Sequence, residues 1–180
     1  MSYDAIATAV TAAARQREPV CGAGRVIAID GPSGAGKTDL AACWHGSPDT
    51  AVLHLEDLYP GWLGLDATPP VVAEMLAAVA TGRDASADGW DWEQHRPGGT
   101  VRLVPRPLIV VEGVGAAAAV IRPFLSLVVW VDAPADVRHA RAMARDGDTF
   151  APWWHTWAEQ ERRHFARELT RTHADILVTT

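Results

Sequence analysis

Among the sixteen Lys and Arg residues of the chain, only Lys37 is a lysine. It falls in "GPSGAGKT", Gly31 to Thr38, which keeps the G-x-x-x-x-G-K-[ST] spacing of a phosphate-binding loop. Glycines let successive backbone N–H groups curl around phosphate oxygens, and a helix starting behind the loop aims its positive end at them. A lysine ammonium is a compact charge on a thin stem that bridges the outer phosphates. A planar, five-donor guanidinium has the wrong shape for that slot. A chain that uses arginine elsewhere therefore has a reason to keep lysine here. Thr38 offers a hydroxyl to magnesium. The expected nucleotide contacts are Gly31, Ser33, Gly34, Ala35, Gly36, Lys37, Thr38 and Asp39, with ATP and Mg2+ as cofactors.

Phosphoryl transfer also needs carboxylates. "PLIVVEG" ends an apolar run in Glu112, the pattern in which one acid at a strand end holds the magnesium shell. A second apolar run, "AVLHL", ends in Glu56 and Asp57. Transfer to an alcohol needs a group that orients and deprotonates the hydroxyl, and Asp57 is expected to be that base. A carboxylate in that place would repel a phosphate acceptor, so an alcohol is favoured over a nucleoside monophosphate. Glu56 is expected to point the other way along the strand. The metal set is then Thr38, Asp57 and Glu112. Arg138, Arg141 and Arg145 share one helix face by their spacing. They either complement the helix dipole, with Asp146 as a partner, or clamp the transferring group; Arg141 and Arg145 are the candidates for the clamp.

These residues need a scaffold, and the pattern supplies one. "RVIAID" (Arg25 to Asp30) reads as a strand before the loop, and "KTDLAACWH" reads as a helix after it. Strand, glycine loop, helix is the context the motif requires. "CGAG" (Cys21 to Gly24) precedes the strand and is a turn. Further strands are expected at Ala51 to Leu55, Pro107 to Gly113, Leu125 to Ala133 and in the closing "ADILVTT". Continuous apolar runs of this kind suit a sheet buried on both faces. Helices are expected at Asp4 to about Arg17, Val71 to Thr81, Ala133 to Arg145 and Pro152 to Thr172. Gly82 to Gly99, polar and rich in Gly, Asp and Trp, reads as a long irregular excursion of the functional kind. Alternating strands and helices mean α/β: a five-stranded parallel sheet flanked by helices, with ligands at the carboxyl ends of the strands. Residues 1–180 are read as a single domain.

Composition excludes several classes. The formal net charge of −6 argues against a general nucleic-acid binder. No apolar run approaches the roughly 18 residues of a membrane span, and no signal peptide is visible. Two cysteines, Cys21 and Cys43, make neither metal-ligand spacing nor a disulfide framework, so a cytoplasmic setting is expected. The expected partner is a small-molecule acceptor, with self-association left open.

In order along the chain, "GPSGAGKT", "LHLEDLYPGW", "LIVVEGV" and "RAMARDGD" resemble the uridine kinase branch of P-loop kinases. That family pairs a glycine-rich GxSGSGKT loop with D-x-[FY] after the second strand, an acid–Gly strand end and an R-x-x-x-R-D lid helix. The resemblance implies a P-loop kinase fold with a short lid. It implies catalytic roles for Lys37, Asp57, Arg141 and Arg145, metal support from Glu112, and Tyr59 beside the acceptor. "WDWEQH" (Trp90 to His95) is similar to the family's Y-D-F-x-x-H. This implies that Trp90 and His95 contact a nucleobase, the acceptor being a nucleoside such as uridine or cytidine. Two departures bear on the acceptor. The family's ribose-binding D-H-P-x-A-F-D has no counterpart, and the later R-G-R pair of the lid is missing. Trp154, Trp157, Glu161 and Phe165 fall near one helix face, where Glu161 is a candidate ligand contact on an apolar stripe. A G-protein switch is excluded, because the chain has no asparagine and no second lysine for guanine readout. Two rivals stay open: a regulatory ATP-binding module without catalysis, and a kinase for another alcohol, similar to pantothenate and sugar kinases.

Overall fold

The computed structural model describes residues 2–180. In chain order the main elements are α1 (Tyr3–Arg15), β1 (Arg25–Asp30), α2 (Lys37–Ala42), β2 (Thr50–His54), α3 (Thr68–Ala80), β3 (Ala85–Asp91) and β4 (Arg96–Leu103). They continue with β5 (Leu108–Glu112), β6 (Leu127–Asp132), α4 (Ala135–Phe150), α5 (Trp154–Glu168) and β7 (Ile176–Thr179). Five strands form one sheet in the order β2-β5-β1-β6-β7, and every neighbouring pair is parallel.

Burial on both faces explains the unbroken apolar strands. Side chains alternate across a strand, so Val26 and Ala28 of β1 join the core under α3, with Val72, Leu76 and Val79. Ile27 and Ile29 join the opposite core, with Val10 and Ala14 of α1 and Leu40 of α2. The helices start where local chemistry allows. The Ser2 side chain accepts the Ala5 N–H at the head of α1, which satisfies one of its orphan donors. Two prolines open α3, where their missing N–H groups cost nothing. Among the described residues, no helix is long and apolar enough to cross a membrane.

Two expectations are corrected. Gly82 to Gly99 is not irregular: β3 and β4 pair as an antiparallel hairpin with a bulge between Asp88 and Trp90. Its turn is made by Asp91, whose Oδ1 accepts the backbone N–H groups of Glu93 at 3.0 Å and Gln94 at 2.9 Å. The Gly-rich, mostly exposed strands carry too few apolar residues to show an alternating pattern. The helix after the phosphate loop is also shorter than expected and ends at Ala42.

Register decides what the sheet delivers. Ile29 of β1 and His54 of β2 both sit opposite Glu112 of β5. The three carboxyl ends therefore open beside one another. Helices α4 and α5 lie C-terminal to that edge, and Gly147 breaks α4 with φ 49° and ψ −127°.

Candidate active site

The loop after β1 is pinned from beneath by Asp30. Its fully buried carboxylate accepts N–H groups from Gly31 at 2.7 Å, Gly115 at 2.9 Å and Ala117 at 2.9 Å. Burial pushes its pKa up, and those three N–H groups work against the shift. This one side chain thereby ties the phosphate loop to the turn that follows β5. In the loop itself, Gly34 and Gly36 hold φ of 77° and 90°, the left-handed region that L side chains rarely adopt. A Cβ on Gly34 would run into the carbonyl of Arg138, and one on Gly36 into the Tyr3 hydroxyl.

Lys37 is buried, and its Nζ donates to the Pro32 carbonyl at 3.0 Å. Burial lowers its pKa, while the carboxylates of Glu112, Glu161 and Asp30 favour the charged form. The Thr38 hydroxyl reaches Glu112 Oε1 at 3.3 Å. The same oxygen is 2.6 Å from His54 Nδ1, and His54 Nε2 is 3.2 Å from His45 Nε2. The hydrogen bond to Glu112 raises the pKa of His54. A polar chain thus runs from the surface through His54 to the carboxylate beside Thr38. His54 went unnoticed in the sequence; its signal was a lone polar residue within the apolar run "AVLHL".

These groups open into one cavity of about 870 Å³. Ser33, Gly34, Gly36, Lys37, Thr38 and Asp39 form its floor, with Glu112 at one side. Buried Gly31 and Ala35 shape the loop from behind. Arg141 and Arg145 of α4 also line it. Arg145 makes a two-pronged pair with Asp146, and Arg141 donates to the Thr180 hydroxyl at 2.7 Å. Arg138 serves elsewhere, donating to the Ser33 carbonyl at 3.3 Å.

The two acids after β2 exchange their expected places. Glu56 lines the main cavity, whereas Asp57 lines a shallower depression with His54 and Trp90. The residues Leu55 to Asp57 form a 3-10 turn, so strand alternation no longer governs where they point. Burial raises the pKa of Glu56, with Arg145 opposing the rise. Tyr59 is buried at the cavity wall and donates its hydroxyl to the Val114 carbonyl at 2.9 Å.

The hairpin delivers a different tryptophan from the one expected. Trp92 lines the main cavity and donates to the Glu56 carbonyl at 3.1 Å. Trp90 turns to the shallow depression, and His95 sits exposed in the turn with φ 50°. Trp90 is still paired in β3, opposite Pro97, whereas Trp92 lies past the last paired residue, Asp91, in the turn, where strand alternation no longer sets its direction. Trp62 stacks on Phe150 at 4.9 Å and meets Trp92 at 4.6 Å between ring centroids. Tyr59, Trp62, Trp92, Phe150 and Trp157 form an aromatic wall of the cavity. Glu161 lies one helical turn beyond Trp157 and joins the wall to the phosphate loop: its Oε1 accepts the Trp157 indole N–H at 2.9 Å and the Ser33 N–H at 2.8 Å.

No family profile matches the chain, and no curated protein matches it. Solved structures do share its fold. One is a possible uridine kinase from Bacillus stearothermophilus, 22% identical, with a TM-score of 0.66 over 98% of this chain and 96% of that one. Another is a candidate fructose transport system kinase from a Silicibacter species, 16% identical, with a TM-score of 0.64 over 100% of this chain and 99% of that one. The chain shares its fold with both: α/β, with a five-stranded parallel sheet flanked by helices.

Proposed function

We propose that the chain is a kinase that binds ATP and magnesium and transfers the terminal phosphoryl group to a hydroxyl of a small alcohol. One observation carries this reading: Glu56 and Arg145 line the same cavity as the phosphate loop, together with a group of aromatic side chains. The loop amides and Lys37 hold the phosphates, and Arg141 and Arg145 lie where charge spreads during transfer. The Thr38 hydroxyl and the Glu112 carboxylate are hard oxygen donors of the kind magnesium takes together with phosphate oxygens. A bound magnesium would neutralise charge between the outer phosphates. His54 holds the Glu112 carboxylate in place from behind. Glu56, which lines the cavity and whose carboxyl is raised in pKa by desolvation, takes the base role expected of Asp57. It accepts the proton of the acceptor hydroxyl as the oxygen attacks.

The acceptor lies against the aromatic wall. A nucleoside would stack there by its base, and a sugar or other alcohol by an apolar face. The positions of Trp90 and His95 favour the second class, because neither lines the cavity where the resemblance to uridine kinases implies base contacts. Full-length protein incubated with ATP, magnesium and a panel of nucleosides and non-phosphorylated alcohols tests the proposal. Acceptor-stimulated ADP release is the expected result. ATP binding without stimulation by any alcohol would instead support a regulatory module.

A further inference from the structure

Every polar group of Ser33 is engaged. Its N–H donates to Glu161 Oε1 at 2.8 Å, its hydroxyl accepts the indole N–H of Trp157 at 2.9 Å, and its carbonyl accepts from Arg138 at 3.3 Å. The Trp157 indole N–H also reaches Glu161 Oε1 at 2.9 Å. Glu161 is 5% exposed, and among the described residues no Lys, Arg or His nitrogen lies within ion-pair distance of it. A buried carboxylate without a direct cation is costly unless N–H donors replace its water. Here one of those donors belongs to the loop that receives phosphates.

The position along the loop identifies which phosphate is concerned. The Lys37 ammonium, which in such loops reaches the outer phosphates, rests on the Pro32 carbonyl, next in sequence to Ser33. Glu161 also acts on Lys37 as a nearby negative charge. The carboxylate thus lies at the outer end of the loop, where a terminal phosphate would bring further negative charge.

We propose that Glu161 is a stand-in for the terminal phosphate and must leave the Ser33 N–H before a triphosphate is fully seated, whereas a diphosphate seats without displacing it. This rests on the nucleotide-binding reading above and extends it to the order of events. The displacement also reaches the acceptor wall, because Trp157 packs on Tyr59 at 5.0 Å and Trp62 at 6.3 Å between ring centroids. Removing Glu161 from Ser33 takes away one of the two acceptors that anchor the Trp157 indole. Arrival of the terminal phosphate therefore loosens one side of the acceptor wall, which couples the two substrates.

The test compares ATP with ADP affinity by calorimetry on the full chain. Glu161→Gln keeps an oxygen for the Ser33 N–H but removes the charge. It should tighten ATP by about tenfold, as expected for loss of one like charge at contact distance, and leave ADP within about twofold. Equal shifts for both nucleotides, or none, overturn the proposal. A wild-type chain that binds neither nucleotide overturns the function proposed above and this inference with it, a different result from equal shifts. Should the Gln variant not fold, Trp157→Phe keeps an aromatic ring but removes the indole N–H, which frees the carboxylate from that anchor. Its ATP-to-ADP affinity ratio should rise several-fold, and an unchanged ratio there overturns the proposal equally.

Discussion

Glu56 and Asp57 are adjacent in one short turn, yet Glu56 opens into the cavity over the phosphate loop and Asp57 into a separate depression beside His54. Charge and chain position do not distinguish them; the direction of the side chain does. Glu56→Gln should therefore lower acceptor-dependent turnover by about 10²–10⁴-fold, the range for loss of a general base. Asp57→Asn should stay within a few-fold of the wild type. ATP affinity, measured separately, should hold in both variants. The reverse ranking of turnover would return the base role to Asp57.

Lys37 tests the shape argument for the lone lysine. Lys37→Ala should abolish transfer, and Lys37→Arg should fail as well, although it keeps the charge. The slot is buried and its occupant reaches only a backbone carbonyl at 3.0 Å. A planar fork of five donors is too broad for a slot that fits one compact ammonium. Turnover by the Arg variant near the wild-type rate would show that charge alone is sufficient.

The link from His54 to Glu112 makes a prediction about magnesium. Glu112→Gln removes a donor charge and should raise the magnesium concentration needed for half-maximal turnover by about tenfold or more. His54→Asn removes only the partner that orients that donor and should raise it less, by no more than about tenfold, the low end of what such supporting groups contribute. Magnesium-dependent protection against thermal unfolding, in the presence of ADP, should rank the two variants in the same order. A larger defect for His54→Asn than for Glu112→Gln would mean that the histidine acts by itself.

How far the sequence revealed this arrangement depends on the range of the interaction. The phosphate loop, the strand before it and the acid at the end of β5 were legible, because a local spacing encodes each of them. The parallel sheet was legible too, since burial on both faces leaves unbroken apolar runs. The assignment between Glu56 and Asp57 was not, because the chain leaves strand geometry at Leu55 and side-chain alternation stops there. Trp92 in place of Trp90 follows from the turn, because Trp92 lies beyond Asp91, the last paired residue of β3, where no strand periodicity applies. The contact from Glu161 to Ser33 joins residues 128 positions apart. Its only trace in the sequence is a carboxylate one helical turn beyond a tryptophan on an apolar stripe.

Away from the cavity, Asp66 fastens the turn before α3 to α5, and its pH dependence can be worked out. Its carboxylate accepts from Arg167 at 2.7 Å and 3.1 Å and lies 2.9 Å from His164 Nδ1. The Arg167 hydrogen bonds, first of all, hold its pKa at about 2, below the ordinary value of roughly 3.9 for an unfolded chain. A depressed folded pKa means that the pair stabilises the protein above the unfolded value and that this contribution fades as pH falls through the folded one. Asp66→Asn should thus lower stability at pH 7, and the gap to the wild type should close between about pH 4 and pH 2. Asp66 and Arg167 are more than half exposed, so water screens the pair and the gap should be about 1 kcal/mol or less. Urea midpoints for both proteins at pH 7, 5 and 3 provide the measurement. A gap that stays constant over that range would mean that the side chain stabilises the turn through packing or neutral hydrogen bonds, with its charge playing no part.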